Sequence, residues 1–152
     1  MRGRCVLSLT VVFAFLAAAG ADEKADKEKA KMDPEKLVGT WTFVSGVKNG
    51  QKLDAEGLKK QSVTITKETL TMKSEMGDFV FKYKLDSKKS PCQVDLEITE
   101  GPVGQGSKTT GIIELKGEEL KLCYAAMGGE TPKEFASKED SGNNYFVMKK
   151  KK

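Results

Sequence analysis

The chain has 152 residues, with 26 Lys and Arg against 22 Asp and Glu, a formal net charge of +4 and no histidine. That length suits one domain of common size once a leader is set aside. The lack of histidine removes Ser-His and Cys-His nucleophile pairs and imidazole metal ligands. The only arginines, Arg2 and Arg4, precede everything else of interest, so no guanidinium is left to clamp phosphate or carboxylate.

Residues 1–21 read as a secretory signal. Arg2 and Arg4 give a positive start, Val6 to Ala19 is apolar but short for a membrane span, and small residues at Ala18 and Gly20, or Ala19 and Ala21, satisfy a cleavage rule. The alternative is an uncleaved anchor. A lipoprotein signal fits less well, because Cys5 precedes the apolar run instead of following it. The expectation is therefore export to the periplasm or beyond, a mature chain starting at Ala21 or Asp22, and no stable membrane insertion afterwards. Removing the two arginines leaves 24 lysines against 22 acids spread along the chain, and no basic face interleaved with aromatics, so nucleic acid is not an expected partner.

Residues 22–33 alternate acids with lysines and carry too few apolar groups to repay the entropy of ordering, which predicts a charged, disordered tether. Adhesion to an anionic surface is the functional alternative, weakened by the near-cancellation of charge. Asp33 followed by Pro34 has the chemistry of an N-cap and a first helical residue, so 34–37 is expected to make one helical turn.

From residue 38 the apolar period is two, the signature of half-buried strands. Trp41 and Phe43 come first, then Val63 and Ile65, then Leu70 and Met72. Phe79, Phe81, Tyr83 and Leu85 follow, with Val80 breaking the pattern. Val94, Leu96 and Ile98, then Ile113 and Leu115, then Leu120, Leu122 and Tyr124, and lastly Tyr145 to Met148 complete eight strands. Short connections at 67–68, 75–77 and 116–118 suit hairpins between sequential neighbours. Three gaps are longer: 49–61, with Asn49-Gly50 and a short helix at 55–60; a glycine-rich loop at 101–107; and a polar return at 128–144. One apolar face per strand and sequential hairpins predict an all-β, eight-stranded antiparallel up-and-down barrel over residues 34–152, with a short helix after the first strand.

Gly39-Thr40-Trp41 at the head of such a set resembles the Gly-x-Trp signature of lipocalins, whose tryptophan closes one end of the barrel. More widely, residues 33–149 resemble a family of secreted lipocalin-like domains of unknown function that is abundant in planctomycete bacteria. The matching pieces are Leu37-Val38-Gly39-Thr40-Trp41, Asn49-Gly50, Lys88-Lys89-Ser90-Pro91 with Asp95-Leu96, Gly111-Ile112 with Glu114-Leu115, Gly117-Glu118, Leu120-Lys121-Leu122-Cys123, and Pro132 with Phe135. The chain departs from that pattern at Ile113, where an aromatic is expected, and at Thr131, where an arginine is expected. Lipocalins commonly pack a late arginine over the tryptophan; here Lys149 or Lys150 would have to serve. The resemblance implies a calycin-like barrel and brings no catalytic residue.

Candidate chemistry is sparse. Cys92 shares the face of Val94 and Leu96, whereas Cys123 alternates with inward Leu122 and Tyr124 and so lies on the outer face. Two strands apart, about 10 Å, they are beyond disulfide reach, so free thiols are expected; a bridge is the alternative, and two ligands are too few for a metal site. Gly101 to Gly106 has glycines but no following helix to offer an anion. Asp95 with Glu97 and Glu118 with Glu119 are solvated charges with nothing to raise a pKa. No catalytic residue, metal or cofactor is expected, and the protein is read as a non-enzyme.

The inward set is where function is sought. Trp41, Phe43, Ile65, Met72, Phe79, Phe81, Tyr83, Leu96, Leu122 and Tyr124 are the lumen candidates for holding a small hydrophobic ligand by burial. An eight-stranded barrel is just wide enough either to be filled by its side chains or to hold one small guest, and the sequence leaves both open. A filled barrel would make the domain a structural or protein-interaction module acting through its 101–107 and 128–144 loops, with a partner the sequence does not identify. An open volume of a few hundred Å³ would favour ligand binding.

Overall fold

Asp33 does cap a helical turn: its carboxylate accepts from the Glu35 amide at 3.0 Å, and Pro34 opens α1 (Pro34–Leu37) where no amide is required. The computed structural model describes residues 32–152, so the expected signal segment and all but the end of the expected tether lie outside the described residues. After α1 come β1 (Gly39–Lys48), β2 (Gln51–Lys52), α2 (Ala55–Lys59), β3 (Ser62–Ile65), β4 (Thr69–Ser74), β5 (Gly77–Asp86), β6 (Cys92–Glu100), β7 (Lys108–Lys116), β8 (Glu119–Ala125) and β9 (Asn143–Lys150).

Each long strand pairs antiparallel with its neighbour in sequence, and β1 pairs with β9, which closes eight strands into an up-and-down, lipocalin-like barrel. The two-residue β2 is a flap on the end of β1 outside that ring. Closure pairs each long strand among the described residues on both sides. The short helix after the first strand is α2, which buries Leu58 against the end of the barrel.

Two bulges set which side chains face inward. On β1, Phe43 pairs with Met148 and Ser45 with Val147, so Val44 is an extra residue and sits exposed. Inward positions are therefore Trp41 and Phe43 before the bulge but Gly46 and Lys48 after it. On β6, Val80 pairs with Glu100 and Phe81 with Ile98, leaving Thr99 as the extra residue; its hydroxyl donates to the Val80 carbonyl at 3.1 Å. The irregularity legible in sequence at Val80 is the partner of that bulge.

One end of the barrel is shut. Trp41 is fully buried there, its indole N–H donating to the Leu37 carbonyl at 2.8 Å, with Ile65, Leu120 and Met148 also in the core. Lys150, not Lys149, covers the indole: its ammonium stands 5.6 Å from the ring centroid and donates to the Lys36 carbonyl at 3.2 Å. Gly39 makes room for this cover, because a Cβ there would meet Lys150 Cε at 2.9 Å and its φ of +140° suits glycine.

The return between β8 and β9 packs on the outer wall. Cys123 and Ile112 point out of the barrel, yet Cys123 is 0 % exposed, because the segment around Pro132 to Ala136 lies over them; the thiol donates to the Ala136 carbonyl at 3.4 Å. Phe135 and Tyr145 continue this second small core, with ring centroids 6.3 Å apart. Ser137 and Asn49 tie the return to the β1–β2 turn through the Gly50 and Gly142 amides at 3.1 and 3.2 Å. Thr131 occupies its place by a 2.7 Å hydrogen bond with Thr110.

Candidate ligand cavity

At the strand ends opposite Trp41 is a cavity of about 510 Å³ open to solvent at the mouth, within the roughly 300–1,000 Å³ range of small-molecule sites. Met72 from β4, Phe79 and Phe81 from β5, Ile98 from β6 and Ala125 from β8 make its apolar wall. The rim carries Met76, Val103 and Met127 from three different loops, exposed by 74 %, 63 % and 59 %.

Strand register explains the wall. Phe79 pairs with Met72 and Phe81 with Leu70 and Ile98, so these side chains share one face, and the Phe79 and Phe81 rings stack at 6.3 Å. The glycine-rich loop is shaped, not loose: Gly106 donates to the Ile98 carbonyl at 2.7 Å, Ile98 donates to Ser107 at 2.9 Å, and Gly104 adopts φ +76°. That fold swings Val103 to the mouth.

Of the ten lumen candidates, the structure brings Met72, Phe79, Phe81 and Tyr124 together in the cavity wall. Trp41, Phe43, Ile65, Tyr83, Leu96 and Leu122 belong to the packed core that fills the barrel toward its shut end. Tyr83 is anchored there by its hydroxyl, which donates to the Thr66 carbonyl at 2.7 Å, and burial raises its pKa. The barrel is thus filled in one half and open in the other.

The polar lining consists of Lys48, Gln61, Ser74, Glu75, Thr109, Tyr124 and Asn144. Thr109 is committed to the Ala125 carbonyl at 2.6 Å, Ser74 to Gly77 at 2.8 Å, and Glu75 to Lys60 at 3.0 Å. Tyr124 has no partner for its hydroxyl among the described residues, and burial, with Cys123 beside it as a lesser cause, pushes its pKa up to about 12. Sequence alternation missed Lys48 because the Val44 bulge shifts the phase, and missed Val103 and Met127 because loops carry no periodicity.

Cys92 and Cys123 are both free, on opposite faces, since Cys92 pairs with Ile113 and Ile113 with Leu122. Burial raises the pKa of each, reinforced by Asp86 at Cys92; at Cys123 the Ala136 contact offsets part of the rise and Glu134 adds to it. Both are held toward the unreactive thiol form. Among the described residues no three His, Cys, Asp or Glu side chains are grouped to hold a metal.

Fold and cavity together define a half-filled, closed eight-stranded barrel with an apolar chamber at one end. No family model, curated protein or solved structure matches the chain.

Proposed function

We propose that this is an exported, non-enzymatic binding protein that holds one small apolar molecule in the open end of its barrel. The observation that carries the reading is the chamber of about 510 Å³, walled by Met72, Phe79, Phe81 and Ile98. Burying an apolar guest there releases about 25 cal/mol for each Å² removed from water. Methionine side chains suit guests of varied shape, being unbranched and polarisable. The resemblance to secreted lipocalin-like domains supports the same reading, as does the signal-like segment at residues 1–21.

A fluorescence titration with the neutral probe N-phenyl-naphthylamine tests it. Bound probe should brighten, and Phe79→Glu, at a half-buried wall position, should weaken binding more than tenfold, since a carboxylate would be desolvated against an apolar guest. Circular dichroism must show the variant folded. A folded wild-type protein that leaves the probe dark would remove the reading. The exposed trio Met76, Val103 and Met127 supports a second one, in which the rim is a contact surface for a protein and the chamber is incidental.

A further inference from the structure

Three polar side chains of the chamber stand in one cross-strand row. Lys48 of β1 pairs with Asn144 of β9, and Asn144 pairs with Tyr124 of β8, so their backbones are lateral neighbours at strand spacing, and all three line the cavity. All three can donate hydrogen bonds, and the ammonium and phenol do so with no competing partner: among the described residues none of the three side chains has a hydrogen bond or ion pair. The Lys48 ammonium is held at the edge of the apolar wall, 5.9 Å from the centroid of the buried Phe146 ring. The Phe146 ring in turn stacks on Tyr124 at 6.1 Å.

Among the described residues the chamber lining carries one lysine and one carboxylate. The carboxylate, Glu75, is on the β4–β5 turn, away from the β9 wall, and is ion-paired with Lys60 at 3.0 Å. Among the described residues Lys48 is the charged side chain of the lining that has no ion-pair partner. Tyr124 stays a phenol, and so a donor, through the neutral range.

We infer that the chamber selects an anionic amphiphile, a small molecule with an apolar body and a single carboxylate, sulfonate or sulfate end that Lys48, Asn144 and Tyr124 receive at the β1–β9–β8 wall. The inference rests on the proposed ligand-binding role and narrows its ligand class. The body lies against Met72, Phe79 and Phe81, and the headgroup takes charge-assisted hydrogen bonds near the mouth, where part of its hydration is kept.

Anilinonaphthalene sulfonate and N-phenyl-naphthylamine share the same rings and differ by the sulfonate, so the pair isolates the headgroup. At low salt the sulfonate probe should bind about tenfold more tightly than the neutral one, the size of one partly exposed charge-assisted contact. Lys48→Met should abolish that preference, so that the sulfonate probe binds no more tightly than the neutral one, and Tyr124→Phe should reduce the preference severalfold. Because Lys48 is exposed, its replacement does not threaten the fold. Equal affinities for the two probes in wild type, or a preference that survives Lys48→Met, overturn the anionic selectivity while the binding role stands. Failure of both probes overturns the binding role and this inference with it.

Discussion

Trp41 concentrates more of the fold than any other side chain. It is fully buried, satisfied at its indole nitrogen by Leu37 and covered by Lys150. Trp41→Ala should lower unfolding free energy by about 3–5 kcal/mol, read as a shift of the urea midpoint; an unchanged midpoint would deny the residue its closing role. Tyr124 gives a second test. Its pKa rises on folding from 10.0 to about 12, so the folded state retains the proton longer than the unfolded chain. Its contribution is present below pH 10 and is lost as pH climbs toward 12. Tyr124→Phe should therefore flatten the fall in stability between pH 10 and 12, measured by denaturation at several pH values. A variant as alkali-sensitive as wild type would show that this phenol titrates normally.

At the scale of elements, period-two alternation made the eight strands and their order legible, because hairpin neighbours on a closed ring impose the same two-sided burial on every strand. Trp41, Ile65, Met72 and Leu122 could be placed on the inner face from their neighbours alone. Which half of the barrel each occupied was not legible, since depth along a strand depends on register and on where the end is plugged. The Val44 bulge hid Lys48, and loop conformation hid Val103 and Met127. Cys123 was legible as outward but not as covered, because the cover is a non-periodic return that packs through Pro132 and Phe135. That cover is testable by labelling. A chain lacking residues 1–21 should yield two thiols after denaturation without reductant, and in the native state Cys123 should react far more slowly than half-buried Cys92. Phe135→Ala should loosen the cover and speed Cys123 labelling. A denatured count of zero in monomeric protein would mean a disulfide and a wrong register.

The whole molecule divides its interior between a packed half and an open one. Leu37, Trp41, Ile65, Leu122 and Met148 help fill the shut half, and methionine and phenylalanine side chains wall the open one. Neutral-probe affinity should therefore depend little on salt, because apolar burial drives it, whereas any added affinity of an anionic probe should fall as salt screens Lys48. The location of the guest is open to direct measurement. Met72, Met76 and Met127 line the chamber, while Met32 and Met148 pack toward the shut end. In a methionine-methyl NMR titration with N-phenyl-naphthylamine, the Met72, Met76 and Met127 signals should move together and saturate, and those of Met32 and Met148 should stay in place. Signals that do not move, or movement led by Met148, would contradict a guest held in the open end of the barrel.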